Sequence, residues 1–185
     1  STIADARARF AVGDARALPC DDDSADMIAS ALAYNFVADR PGALAEMRRV
    51  AKPGGMVGLY VWDYAGGGMG FIRAFWRAAV VTDPAAEALR EDIRFPFCTR
   101  EALVGEFKAA GFADAEVRAI EVASRFADFE DYWRPFTLGA GPAPGYYTSL
   151  NDAGRLRLRD TLESQLGGGP IEFPARAWAI RGRAP

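Results

Sequence analysis

The sequence predicts an α/β domain centred on a mostly parallel sheet. Two apolar runs of strand length, residues 26–32 (DMIASAL) and 56–62 (MVGLYVW), lack the period-two alternation of half-exposed strands. Such runs suit strands covered on both faces. Between them lies an amphipathic helix, residues 39–50, stopped by Pro53-Gly54-Gly55. Strand, helix and strand in that order form a βαβ unit, whose strands run parallel through a right-handed crossover.

The elements follow in order. Residues 8–12 read as a short strand ending at Gly13-Asp14, and residues 19–24 as a polar turn. Asp39 is placed to cap the helix, with Pro41 in its first turn. Leu44, Met47 and Val50 recur at helical spacing, while Arg48, Arg49 and Lys52 suit its negative C-terminal end. After Trp62 comes a Gly-rich turn over 65–70, then helices over 71–81 and 84–92. Residues 99–110 form a helix capped by Thr99 and ended by Gly111, with Leu103 and Phe107 on one face. A strand at 115–125, an aromatic helix at 129–136 and a Gly/Pro loop at 138–145 come next. A charged helix at 151–166 and a last strand at 175–183 complete the chain.

Composition narrows the function. The 185 residues suit a single domain. A formal net charge of -3 without a long basic run makes nucleic acid and anionic membranes poor partners. No apolar stretch nears the ~20 residues that cross a bilayer, and residues 1–10 carry no secretory pattern. Cys20 and Cys98 alone make no disulfide framework, which fits a cytoplasmic location. Histidine is absent, which removes Ser-His-Asp and Cys-His nucleophiles and His-ligated metals. Asp21-Asp22-Asp23 reads as a solvated turn, so no metal is expected.

Two stretches carry a resemblance. They are Val12-Gly13-Asp14-Ala15-Arg16-Ala17-Leu18-Pro19 with Asp23-Ser24-Ala25-Asp26-Met27-Ile28, and residues 43–50 closed by Lys52-Pro53-Gly54-Gly55. In order and spacing they resemble the class I S-adenosylmethionine-dependent methyltransferases, in the ubiquinone/menaquinone-methyltransferase-like branch. The resemblance implies a Rossmann-like sheet with an antiparallel edge pair formed by the last two strands. It implies S-adenosylmethionine as cofactor and a small, partly apolar molecule as methyl acceptor. Asp14 takes the adenine-facing role, the Ala15 N–H reaches the ring, Leu18 lies along its face, and Ala31 borders the methionine part. Tyr34 and Asn35 stand at the mouth of the active site, and Trp62 and Asp63 border the acceptor pocket. Residues 66–100 and 127–170 become lid or acceptor-region insertions. Strand ends are also where open parallel sheets bind ligands on general grounds.

Each residue has a structural reading beside the functional one. Asp14 would close a turn on its own backbone, Tyr34 and Asn35 would cover the sheet end, and Asp63 would cap the turn before Gly66. Among the aromatics, Phe75 and Trp76 read as core, and Tyr146 and Tyr147 as pocket candidates. A base is not obligatory, since methyl transfer from a sulfonium is an in-line displacement that positioning accelerates.

The family's Gly-x-Gly loop and acidic ribose-binding strand would precede residue 8, so the domain reads as N-terminally truncated, and Gly66-Gly67-Gly68-Met69-Gly70 follows the wrong strand to replace them. The expectation is weak cofactor binding by this chain alone. Residues 26–32 would lie on an open edge, covered by a homodimer or by a partner supplying the missing half. A non-catalytic binding or assembly subunit is the alternative to an active enzyme.

Overall fold

The computed structural model describes residues 7–139 and 141–185. Four strands form one sheet in the order β1-β2-β4-β3. β1 (Ala25–Ala31) lies parallel to β2 (Ala51–Trp62), with Ala31 opposite Tyr60. The connection is α1 (Arg40–Val50), whose N-cap Asp39 accepts the Gly42 N–H at 3.0 Å. β4 (Ile171–Arg183) runs antiparallel to β2 on one side and to β3 (Glu116–Phe126) on the other.

One face of the sheet is packed. Val57, Leu59 and Val61 of β2 and Ile180 of β4 are buried against Leu44 and Met47 of α1. Leu103 and Phe107 of α4 (Arg100–Ala109) complete this core with Phe112. Thr99 caps α4, accepting the Ala102 N–H at 3.2 Å. Along the other face the register aligns Met27, Tyr60, Ile120 and Val122, all exposed.

A second core is helical and aromatic. α2 (Gly70–Thr82) packs on α7 (Asp152–Leu166), burying Phe75, Trp76, Leu158 and Leu162. α5 (Phe129–Trp133) adds Tyr132 and Trp133, and the 3-10 turn after it adds Phe136, whose ring stacks on Phe75 at 4.6 Å. The segments after β2 and after β3 thus meet in one helical layer.

The structure corrects four expectations. Residues 8–13 form no strand and are exposed. A strand is held by its neighbour's backbone groups, and among the described residues nothing pairs there except the Asp14–Ala17 bridge. For the same reason one of the three strand pairings is parallel and two are antiparallel, so the sheet is mixed rather than mostly parallel. The helix expected over 84–92 divides into a 3-10 turn, Pro84–Leu89, and α3 (Glu91–Arg94), because Arg90 adopts an extended backbone between them. The loop expected over 138–145 ends in α6 (Pro142–Ser149), where Pro142 takes the first helical turn, the place a helix tolerates it.

Residues 26–32 are less covered than the expectation required. Within the single chain Met27 is 70% exposed and Ile28 and Leu32 are half-buried. β1 pairs only with β2 among the described residues, leaving its other edge open.

Candidate active site at the strand ends

β1 and β2 finish side by side. Beyond Ala31, Leu32 turns the chain with φ at 53°, a left-handed conformation that L side chains rarely adopt. Its N–H donates to the Tyr60 carbonyl at 2.9 Å, so the last rung of the β1–β2 ladder fixes the bend. Strain of this kind clusters at functional sites and persists where surrounding contacts over-determine it.

A 3-10 turn follows, Tyr34–Phe36. Tyr34 is buried, and its hydroxyl donates to Glu106 Oε2 of α4 at 2.6 Å. The other oxygen of Glu106 accepts Arg40 Nε at 3.0 Å, and the Arg40 guanidinium lies 3.4 Å from the centre of the Phe97 ring. Burial, and then the Glu106 carboxylate, push the Tyr34 hydroxyl far above its ordinary pKa. Asn35 is also buried, but its Nδ2 has no hydrogen-bond partner. A buried amide donor left unpaired costs about 1–3 kcal/mol.

At the end of β2, Asp63 is 1% exposed. Its carboxylate accepts the Gly66 N–H at 2.8 Å and Arg176 Nε at 2.7 Å. Backbone bonds join the same residues, Asp63 N–H to the Arg176 carbonyl and Arg176 N–H to the Gly68 carbonyl. Gly68 is wedged between them: a Cβ there would lie 2.8 Å from Arg176 Cβ and 2.9 Å from Asp63 Cβ. The Gly-rich run, read from sequence as a flexible turn, is therefore a tight junction between β2 and β4.

The structure brings Ala31, Tyr34, Asn35 and Asp63 to one end of the sheet. Residues 14–18 are held differently. The Asp14 carboxylate is exposed and closes on Arg16, accepting its N–H at 2.9 Å and Nη2 at 2.7 Å. The Arg16 side chain and backbone hold Asp14 down to about 2. Ala15 packs on the sheet-side core, and the Leu18 N–H donates to Glu46 Oε1 of α1 at 2.7 Å. Arg49 braces the same turn through Glu46, Asp22 and the Cys20 carbonyl.

Of the aromatics, Phe75 and Trp76 are core, as read from sequence. Tyr146 and Tyr147 also join the helical layer, against Trp76 and Trp133, rather than standing in an open pocket. Sequence reasoning missed Glu106, Arg40 and Arg176, whose roles are set by partners distant along the chain.

The comparisons with known proteins bear on this arrangement. A family profile described as a methyltransferase domain matches residues 2–59, which hold the 12–19 motif, β1, α1 and most of β2. The YcgJ protein of Bacillus subtilis superposes with a TM-score of 0.53 at 20% identity, over 95% of this chain and 70% of that one. Residues 2–59 are similar to the methyltransferase domain family, and the fold is that of solved methyltransferase-like proteins. The demethylmenaquinone methyltransferase of Roseiflexus castenholzii is 49% identical over 55 residues, 30% of this chain and 23% of that enzyme. Phosphoethanolamine N-methyltransferase 2 of Haemonchus contortus, solved with S-adenosyl-L-methionine, superposes with a TM-score of 0.51 at 16% identity, over 98% of this chain and 38% of that one. The chain spans between about a fifth and a third of the length of the curated relatives it matches.

Proposed function

We propose that this chain takes part in S-adenosylmethionine-dependent methyl transfer to a small, partly apolar acceptor bound at the ends of β1 and β2. The observation that carries the reading is the buried, unpartnered Nδ2 of Asn35, beside the strained turn at Leu32. A donor kept dry and unbonded at a strand end awaits an oxygen or nitrogen from outside the chain. The roles differ among the candidates. Asn35 contacts and orients the acceptor. Tyr34 and Asp63 act through the fold, because the Tyr34 hydroxyl already donates to Glu106 and the Asp63 carboxylate already accepts Arg176 and Gly66. Asp14, Ala15 and Leu18 serve the adenine side and Ala31 the methionine side. On cofactor binding Asp14 exchanges its Arg16 contact for the ligand. The cofactor, when bound, supplies an electrophilic methyl on a sulfonium, and the chain's part is positioning.

The test is transfer of isotope-labelled methyl from S-adenosylmethionine to a mixture of small metabolites. Asn35→Ala is expected to lower transfer at least about tenfold, the worth of a desolvated hydrogen bond. Tyr34→Phe is expected to lower stability more than transfer. Equal transfer by Asn35→Ala and the unaltered chain would overturn the reading.

One observation favours a second reading, a binding or assembly subunit. The open edge of β1 and the exposed Met27, Tyr60, Ile120 and Val122 are surfaces for a second copy or a partner polypeptide. Label transfer by the chain only after a partner is added, or not at all, would favour it.

A further inference from the structure

A second orphaned polar atom lies away from Asn35. Glu91, at the start of α3, is 2% exposed. Its Oε2 accepts the Trp76 indole N–H, while Oε1 is buried with no partner. Beside it is a cavity of about 20 Å³ whose lining includes Tyr64, Ile72 and Trp76 together with Arg73, Arg90 and Asp92. That volume admits one water-sized group.

None of the surrounding arginines hydrogen-bonds Oε1. Arg90 is held by Glu87 at 2.7 Å and by Asp92 at 2.5 Å. Burial, the largest influence, raises the Glu91 pKa and Asp92 adds to it, whereas the Trp76 N–H and Arg94 favour the ionised form. Arg73 lies near Asp92 and favours its ionised form. A bare carboxylate oxygen calls for a donor, the space admits one heavy atom, and aromatic side chains form two of the walls. A primary ammonium group meets all three requirements, with three N–H donors, the size of water and a charge attracted to aromatic faces.

We propose that the Glu91 cavity is a subsite for the primary ammonium group of a small molecule. Tyr64 directly follows Asp63 at the end of β2, so the cavity adjoins the end of the sheet where the acceptor is placed. As a statement about the acceptor, the proposal rests on the methyl-transfer reading and makes that molecule an amine. As a binding site it is tested without any transfer.

The experiment follows the Trp76 indole N–H by nitrogen-15 NMR, assigned through Trp76→Phe, during titration with methylammonium chloride. Methanol and sodium acetate are the controls. A saturable shift with methylammonium is expected, weakened at least about tenfold in Glu91→Gln. The indole signals of Trp133 and Trp178 stay fixed and report an intact fold. Glu91→Asp, which withdraws the carboxylate by one methylene, gives a second weakened response should Glu91→Gln not fold. No saturable shift, or an equal one with methanol, would make the cavity a water site and overturn the proposal. A response to acetate in place of methylammonium would make it an anion site through Arg73 and overturn the proposal equally. An unchanged response in both variants would overturn it too. Failure of methyl transfer would appear in the Asn35 experiment and leave this titration unaffected.

Discussion

The Tyr34 hydroxyl donates to Glu106 at 2.6 Å, tying the turn after β1 to α4 across the packed face of the sheet. Tyr34→Phe keeps the buried ring and removes one charge-assisted hydrogen bond, so it should lower stability by about 1–2 kcal/mol. Glu106→Ala should lower it further, because it leaves the Tyr34 hydroxyl buried and unpaired and releases Arg40 as well. Urea unfolding midpoints check both.

Leu32 reverses the usual order of alanine and glycine. In ordinary backbone Gly is less stable than Ala by roughly 0.5–1 kcal/mol. At φ 53° a Cβ is strained, so Leu32→Gly should be more stable than Leu32→Ala by about 1 kcal/mol. Thermal unfolding of the two variants decides it, and the usual order would remove the strain argument.

Breaking the Asp63–Arg176 pair should be the most damaging of these changes. Asp63 is 1% exposed and Arg176 is 32% exposed, so the loss from Asp63→Ala should fall near about 3 kcal/mol, with the arginine partly rescued by water. Asp63→Asn keeps an acceptor for the Gly66 N–H and should lose less. Chemical denaturation of the two variants gives the comparison.

Glu46 should report on acid. The Arg49 side chain, and then the Leu18 N–H, lower its pKa from 4.5 to about 2. A lowered carboxylate pKa stabilises the fold above the ordinary value and ceases to do so as pH falls toward the folded one. The tie between residues 18–22 and α1 should therefore be intact above about pH 5 and lost as pH approaches 2. Carbon-13 titration of the Glu46 carboxyl should give the low midpoint. The protection of the Leu18 amide against exchange, relative to its intrinsic rate at each pH, should fall over the same range, and Glu46→Gln should abolish that pH step.

The open edge of β1 should drive association. Met27 is 70% exposed on a strand without Lys or Pro to blunt it. Sedimentation should show concentration-dependent self-association that Met27→Lys suppresses. A monomer at all concentrations for the unaltered chain would count against edge pairing.

What the sequence made legible was local. Asp39 and Thr99 cap the helices for which they were read, since a cap and its helix lie within a few residues. The βαβ unit was legible because its crossover is contiguous. Residues 8–12 have the composition of a strand but not the neighbour that makes one. Pro142 and Gly145 hid α6, because they are helix breakers by propensity and the Gly/Pro composition outweighed the tolerance of Pro142 in a first turn. At the site, Asn35 and Asp63 were candidates through the family resemblance, and both lie just beyond strand ends. Whether each had free hydrogen-bonding capacity depended on Glu106 and Arg176, and pairings over that span leave no periodic signal. Leu32 gave no warning at all, since the left-handed turn is made by a residue that ordinarily avoids it.

β4 lies between β2 and β3, so the last of the four strands to be synthesised is the one that joins the two before it. Until residues 171–183 emerge from the ribosome, β2 has a single neighbour and β3 has none among the described strands. The antiparallel half of the sheet therefore closes in one late event, after most of the chain has waited with its strand edges bare. Contacts so distant in sequence are slow to form and prone to capture by other chains meanwhile. A nascent chain of this kind has reason to depend on chaperones for the interval before its final strand slots in.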